Sequence, residues 1–244
     1  MREIRCFVEA PLAADAEVRL PEEAASHLLR VLRLGPGDAV TLFNGDGVEY
    51  LARIVRGEGR GALVRVLRTR PGQRDPRLRI VLLQGLARGE KMDLILQKAC
   101  ELGVHAVWPV LSERSEVRLA GERAERRHRH WLGVLRSAAE QCGRATVPEL
   151  APLQDLGKAL SRVGDGPRLL LDPQASAPLA RQDIDPQRPV HLLVGPEGGL
   201  GARDLALATE AGWQAVALGP RILRTETAGL VALAVLQARH GDLG

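Results

Sequence analysis

From residue 78 onward the chain alternates short apolar runs with helical stretches, and this rhythm restricts the fold more than any other feature. Leu78 to Gln84, Val104 to Trp108, Arg168 to Leu171, Val190 to Val194 and Ala215 to Leu218 read as buried strands. Glu90 to Leu102, Glu122 to Cys142, Ala202 to Ala211 and Thr225 to His240 read as helices. In the first of these, Met92, Ile95, Leu96 and Ala99 share one face, and Gly103 stops the helix. Alternation on this scale predicts an α/β domain, a mostly parallel sheet with helices on both faces. Ala228 to Leu236 is apolar all round, so its helix is expected to be buried on every side, in the domain centre or at a subunit interface.

The first seventy residues read differently. Ile4 to Ala10, Ala39 to Asn44, Val48 to Val55 and Ala62 to Thr69 suit a pleated surface. Asn44-Gly45-Asp46-Gly47 tolerates positive φ and suits a tight hairpin turn. Pro21 opens a helix with Leu28, Val31 and Leu32 on one face, ended by Gly35-Pro36-Gly37-Asp38. Several short strands with one helix predict a small β-barrel. Arg70-Pro71-Gly72-Gln73-Arg74-Asp75-Pro76 has little to bury and reads as a linker. Two domains are therefore expected, residues 1–72 and 73–244.

Several classes fall away. The 244 residues, 45% hydrophobic and 26% charged, have ordinary globular composition. The longest unbroken apolar run has nine residues, far short of the roughly 20 that a membrane helix needs. Charges interrupt the apolar residues of the N-terminus, so no signal-peptide core is expected and no membrane partner. Cys6, Cys100 and Cys142 are an odd number at wide spacings. That fits buried thiols in a reducing cytoplasm and neither a disulfide frame nor a zinc site. His128 and His130 lie in a charged helical stretch with no cysteine near, so no metal is expected.

The formal net charge is +4, but it is unevenly spread. Arg53 to Arg79 holds nine arginines against Glu58 and Asp75, a local +7. Arg114 to Arg144 holds eight arginines against four acids, a local +4. Arginine pairs with phosphate through a two-pronged donor geometry, so the two blocks point to nucleic acid, with a solvated arginine-rich surface as the plain alternative. Aromatic residues make up only 2%, which argues against a base-stacking platform.

In parallel sheets ligands bind where strands run into helices at their carboxyl ends. Two loops stand out there, Gly195-Pro196-Glu197-Gly198-Gly199 and Gly219-Pro220-Arg221-Ile222-Leu223-Arg224-Thr225-Glu226-Thr227-Ala228, on strands that look adjacent. Glycines let the backbone approach a flat ligand, and proline stiffens each bend. No G-x-x-x-x-G-K-[ST] occurs, and Gln84-Gly85-Leu86-Ala87-Arg88-Gly89 has the wrong spacing for a dinucleotide fingerprint. Nor is there G-x-S-x-G, H-E-x-x-H or an evident Ser/His/Asp set.

The two loops, from Leu193 to Leu200 and from Leu218 to Ala228, closely resemble the paired signature of the RsmE family of 16S ribosomal RNA (uracil-N3) methyltransferases, in the SPOUT superfamily. The likeness continues upstream in Arg88-Gly89-Glu90-Lys91-Met92-Asp93, Gln97-Lys98, Glu101-Leu102-Gly103-Val104, Ser112-Glu113-Arg114 and Glu140-Gln141-Cys142-Gly143-Arg144. His27, Arg30-Val31-Leu32-Arg33 and Gly35-Pro36-Gly37 match the family's N-terminal domain, while Asp172-Pro173-Gln174-Ala175 is a looser match. The resemblance implies a PUA-like N-terminal barrel for RNA and a SPOUT-type α/β domain with a trefoil knot, although general topology rules disfavour threading. It also implies a cytoplasmic homodimer acting on the small ribosomal subunit, with S-adenosylmethionine held bent in the knot loops. By that likeness Leu171, Leu193, Gly195, Glu197, Gly198, Gly199, Leu218, Gly219, Ile222, Leu223, Arg224, Thr225, Thr227 and Ala228 line the cofactor.

Physical reading of the residues is compatible. Leu218, Ile222 and Leu223 between glycines can form an apolar slot for adenine, and Glu197 or Glu226 can face the sulfonium charge. Uracil N3 attacks once its weakly acidic proton leaves, so Arg224 is the candidate for stabilising the resulting anion, with no residue named as base. Arg30, Arg33, Arg88, Lys91, Arg114, Arg118 and Arg144 are candidate RNA contacts. A non-catalytic ribosome-assembly factor is the alternative function, and S-adenosylmethionine uptake separates the two.

Overall fold

The structure is a computed structural model describing residues 3–116 and 119–244, and the chain divides into two units. One unit comprises Met1–Asp75 with Ala139–Val147; the other comprises Pro76–Ala138 with Pro148–Gly244.

The first unit contains β1 (Arg5–Phe7), β2 (Glu17–Leu20), α1 (Glu22–Ser26), β3 (Ala39–Phe43), β4 (Val48–Glu58) and β5 (Gly61–Pro71). They form a five-stranded sheet in the order β1-β3-β4-β5-β2, with β1 parallel to β3 and every other pair antiparallel. Alternate residues, among them Leu20, Leu42, Ile54, Val64 and Val66, face one shared core. The expected turn between β3 and β4 is present. Gly45 and Gly47 take φ of 94° and 84°, and Asp46 accepts hydrogen bonds from the Val48 N–H (2.8 Å) and the Tyr50 hydroxyl (2.7 Å).

Three expectations need correction here. The helix opened by Pro21 turns into a π-helical turn at His27–Val31, closed by Leu32 N–H to His27 O at 3.0 Å. That wider turn changes the side-chain period, so Leu28 is buried while Val31 and Leu32 are 67% and 39% exposed. The stretch from Arg70 is no loose linker. Arg70 still belongs to β5, its guanidinium pairing with Glu49 (2.5 Å) and Glu3 (2.7 Å), and the Gly72 N–H bonds to Gly47 O at 2.8 Å. Finally, residues 139–147 return to this unit. Glu140 accepts from the Phe7 N–H at 2.7 Å, and Asp75 accepts from the Thr146 N–H at 3.0 Å. Arg144 is only 4% exposed, with its guanidinium 3.6 Å from Asp75 and its carbonyl accepting from Arg5 Nη2 at 3.0 Å. It is therefore withdrawn from the RNA contacts: a guanidinium held inside by a carboxylate cannot reach a phosphate.

The second unit contains β6 (Ile80–Gly85), α2 (Lys91–Glu101), β7 (Ala106–Leu111), α3 (Gly121–Cys142, its last turn counted with the first unit), β8 (Glu149–Leu150) and β9 (Gln154–Asp155). It continues with α4 (Leu156–Ser161), β10 (Arg168–Leu171), β11 (Val190–Val194), α5 (Ala202–Glu210), β12 (Gln214–Val216) and α6 (Thr225–His240). The strands form one wholly parallel sheet, β12-β10-β11-β6-β7-β8, with β9 also on β7. Both faces are covered, which is why every residue of β6 and β11 is buried. Val81, Leu83, Leu170 and Leu193 pack with α4 and α5, whereas Leu82 and Val194 lie against Gly229 of α6 on the other face. Within a single chain helix α6 is not buried all round, so the domain-centre alternative does not hold. Gly229, Ala232, Leu233, Leu236 and Gln237 are buried, while Leu230, Val231, Ala234 and Val235 are only partly so.

Among the described residues no helix is long and apolar enough to cross a membrane, and no His/Cys/Asp/Glu group could hold a metal ion. None of the three cysteines is in a disulfide, and burial, assisted by the Glu140 carboxylate, pushes the Cys6 thiol up to about 12.

The buried Arg5–Glu49 pair sets a prediction for the first unit. Glu49→Ala strands the Arg5 guanidinium without its carboxylate and should cost about 3–5 kcal/mol of stability in urea unfolding.

Candidate functional site

A cavity of about 760 Å³ lies at the carboxyl ends of β10, β11 and β12. That is the size range of small-molecule sites. Of the fourteen residues expected at the ligand, eleven line this cavity: Leu171, Gly195, Glu197, Gly199, Leu218, Gly219, Ile222, Leu223, Arg224, Thr225 and Ala228. Three do not. Leu193 points into the core beneath α4 and α5, because strand alternation gives the cavity face to Val194. Gly198 and Thr227 are exposed but lie outside the cavity lining, the Gly198 carbonyl accepting from Arg114 Nη1 at 3.2 Å.

The two loops do not sit on adjacent strands. β10 lies between β11 and β12, and its own exit supplies Asp172, Pro173 and Gln174 as a third wall. The signal was present in the sequence, since Leu171-Asp172-Pro173 repeats the pattern of an apolar strand ending at a proline. Glu226, expected to face a positive charge, joins the lining, and Val194, Leu200, Leu205 and Val216 join it without having been expected there.

Backbone proximity shapes the first loop. A Cβ on Gly85, the last residue of β6, would run into the backbone nitrogen of Pro196 and lie 2.6 Å from its Cδ. Only glycine lets the strand end and the loop meet so closely. Gly199 closes the loop with φ of 71°, its N–H donating to Pro196 O at 2.9 Å. In the second loop Gly219 takes φ of 95°, and Ile222 is 83% exposed at the cavity wall.

Charge gathers at one side of the cavity. Lys91, the first residue of α2, places Nζ 3.2 Å from Glu197 and 3.5 Å from Glu226. Glu226, in the first turn of α6, is also 3.9 Å from the Arg224 guanidinium, whose side chain is 81% exposed. Glu197 accepts from the Arg88 backbone N–H at 3.1 Å. Burial pushes its carboxyl upward, but the Arg88 N–H, its own N–H and the Lys91 ammonium prevail and hold it below the ordinary 4.5.

The expected RNA contacts divide into three groups. Arg30 and Arg33 are exposed in the first unit, and Arg33 adopts an unusual φ of 57°. Arg88, Lys91 and Arg114 are engaged in the second unit, with Glu116, with Glu197 and Glu226, and with the Gly198 carbonyl respectively. Arg118 lies outside the described residues.

Residues 74–237 match the model of an RNA methyltransferase domain, and residues 20–62 that of an RNA methyltransferase PUA domain. The ribosomal RNA small subunit methyltransferase E of Mycobacterium tuberculosis is 36% identical over 216 residues, spanning 85% of this chain and 80% of that protein. Its Bacillus subtilis counterpart is 28% identical over 222 residues, spanning 88% and 87%. The solved structure of the Neisseria gonorrhoeae ribosomal RNA small subunit methyltransferase E bound to S-adenosyl methionine superposes with a TM-score of 0.93 at 37% identity, covering both chains fully. A putative methyltransferase from Legionella pneumophila in complex with the cofactor SAM superposes with a TM-score of 0.95 at 36% identity, also over both full lengths.

The Glu197–Arg88 bond should respond to pH. Because the folded carboxyl is depressed, its contribution is full above about pH 4.5 and is lost as pH falls through the lower folded value. The Arg88 amide resonance should titrate with a midpoint below 4.5, and Glu197→Gln should abolish that titration.

Proposed function

The chain belongs to the ribosomal RNA small subunit methyltransferase E family, and on that footing we propose that it methylates N3 of a specific uridine in 16S ribosomal RNA, using S-adenosylmethionine. The observation that carries this reading is the single cavity into which both glycine- and proline-bearing loops converge.

The residues present fit the cofactor. Leu171, Leu218, Ile222 and Leu223 offer an apolar slot, and the glycines on either side bring bare backbone groups to its edge. Glu197 and Glu226, paired with Lys91 and, for Glu226, the exposed Arg224, supply carboxylates that can face a cationic ligand. When bound, the cofactor supplies an electrophilic methyl group. The chain's own task is to hold uracil N3 in line with that group and to favour the uracil anion over the neutral base. Arg224 serves the second purpose: its guanidinium is a cationic hydrogen-bond donor exposed at the entry to α6. The uridine must leave any base pair to present N3, because that atom lies on the pairing edge.

Each unit offers its own RNA contacts. Arg30 and Arg33 contact phosphate from the first unit, whose five-stranded sheet and PUA-domain match support a PUA-like barrel. Arg88, Lys91 and Arg114 act beside the cavity. The partly buried apolar side of α6, Leu230, Val231, Ala234 and Val235, is where a second copy of the chain packs to form a homodimer. Two placements support the SPOUT-type trefoil crossing. β12 pairs outside β10, while α6, which follows β12, packs back on β6 and β11. Three cysteines outside any disulfide suit the cytoplasm where ribosomes are made.

The deciding experiment incubates methylation-deficient small ribosomal subunits with labelled S-adenosylmethionine and maps the modified nucleoside. Label at uridine N3 supports the reading; cofactor uptake without transfer refutes it as an enzyme. Arg224→Ala should lower kcat by roughly 100-fold while the protein stays folded. Replacing Arg30 and Arg33 together with glutamate should weaken subunit binding and reduce the salt slope of log K by about 2, as two lost phosphate contacts require.

A further inference from the structure

One segment lies outside both ligand loops yet reaches each of them: the passage from the end of β6 to the start of α2. Its exposed end, Lys91, bridges Glu197 and Glu226. Its inner end is Gln84, wholly buried at 0% exposure and absent from the cavity lining. Gln84 Nε2 donates to Gly85 O at 3.0 Å and to Thr225 Oγ1 at 3.1 Å. The Thr225 hydroxyl in turn donates to Gly195 O at 2.6 Å. Gly195 belongs to the first loop and Thr225 to the second, so a directed chain of hydrogen bonds runs from β6 through one loop to the other.

The direction matters. A threonine hydroxyl has one proton and rotates to suit its partners. With Gln84 donating to its oxygen, the proton is left to point at the Gly195 carbonyl, and the two loops are tied at one separation. The arrangement is unfavourable as mere filling. Gln84 Oε1 has no hydrogen-bond partner, and it faces the missing side chain of Gly229, where a Cβ would lie 3.3 Å away. An apolar side chain of similar shape would avoid burying that orphan oxygen.

We propose that Gln84 is a positioning residue for methyl transfer: acting through Thr225, it sets the spacing of the two cofactor loops and so the affinity for S-adenosylmethionine. This rests on the reading of the cavity as the cofactor site.

The test uses the full chain and its Q84M, T225V and Q84M/T225V variants. S-adenosylmethionine Kd is measured by calorimetry, kcat and KM on methylation-deficient subunits, and Tm alongside. Each single change should weaken cofactor binding by about 10-fold, raising the cofactor KM more than it lowers kcat. The double variant should be no weaker than T225V, because both changes break one chain of bonds. A Q84M protein that binds the cofactor as the parent does, with only Tm lowered, overturns the proposal and leaves Gln84 a packing residue. Additive losses in the double variant overturn it too. Should Q84M not fold, T225V decides, since an unaltered affinity there removes the bond chain altogether. Failure of the parent chain to take up the cofactor overturns the cofactor reading itself, an outcome distinct from the others.

Discussion

Parallel pairing is the constraint on which the second unit depends. In a parallel ladder all strands point one way, so β10, β11 and β12 must deliver their following loops to the same edge. Three proline-bearing exits therefore converge on one edge by strand direction, and the Gln84–Thr225–Gly195 bonds and Lys91 then tie two of them together. The remaining condition is closeness. Gly85 brings β6 against Pro196 with no room for a side chain between them, and the first loop is laid over the strand end by backbone contact. The cavity is a product of sheet direction first and of particular side chains second.

Much of this was legible. Strand β10, strand β11 and helix α6 coincide with the predicted Arg168 to Leu171, Val190 to Val194 and Thr225 to His240, because buried strands and a long helix leave strong local patterns. What local pattern cannot carry is neighbourhood. The sequence places β11 and β12 next to each other in order, and only the assembled sheet inserts β10 between them. Leu193, named by family likeness, lies in the core and outside the cavity lining. Its side chain is assigned to the core by alternation across a strand whose two faces are both apolar. The short strands β2, β8 and β9 escaped because two to four residues hold too little periodicity to register.

Arginine shows how composition misleads at the level of single residues. Arg144 counts toward a basic block yet is enclosed beside Asp75, and Arg70 closes a chain of carboxylates with Glu3 and Glu49. Glu49 holds Arg70 above its ordinary basicity chiefly by hydrogen bonding. Charge sums over a window therefore overstate what a phosphate can meet. Arg30 and Arg33 are different. They flank residues that a π-helical turn pushes outward, a backbone choice no helical periodicity foresees.

The return of residues 139–147 to the first unit bears on how the protein is born. Arg5 finds its backbone partner, the Arg144 carbonyl, 139 positions downstream. A nascent chain emerges N-terminus first, so β1 to β5 leave the ribosome long before that partner is made. Until then the amino-terminal sheet waits with a buried-to-be guanidinium only half coordinated. Its completion belongs to a late stage of synthesis, after most of the catalytic half's first helices have been translated.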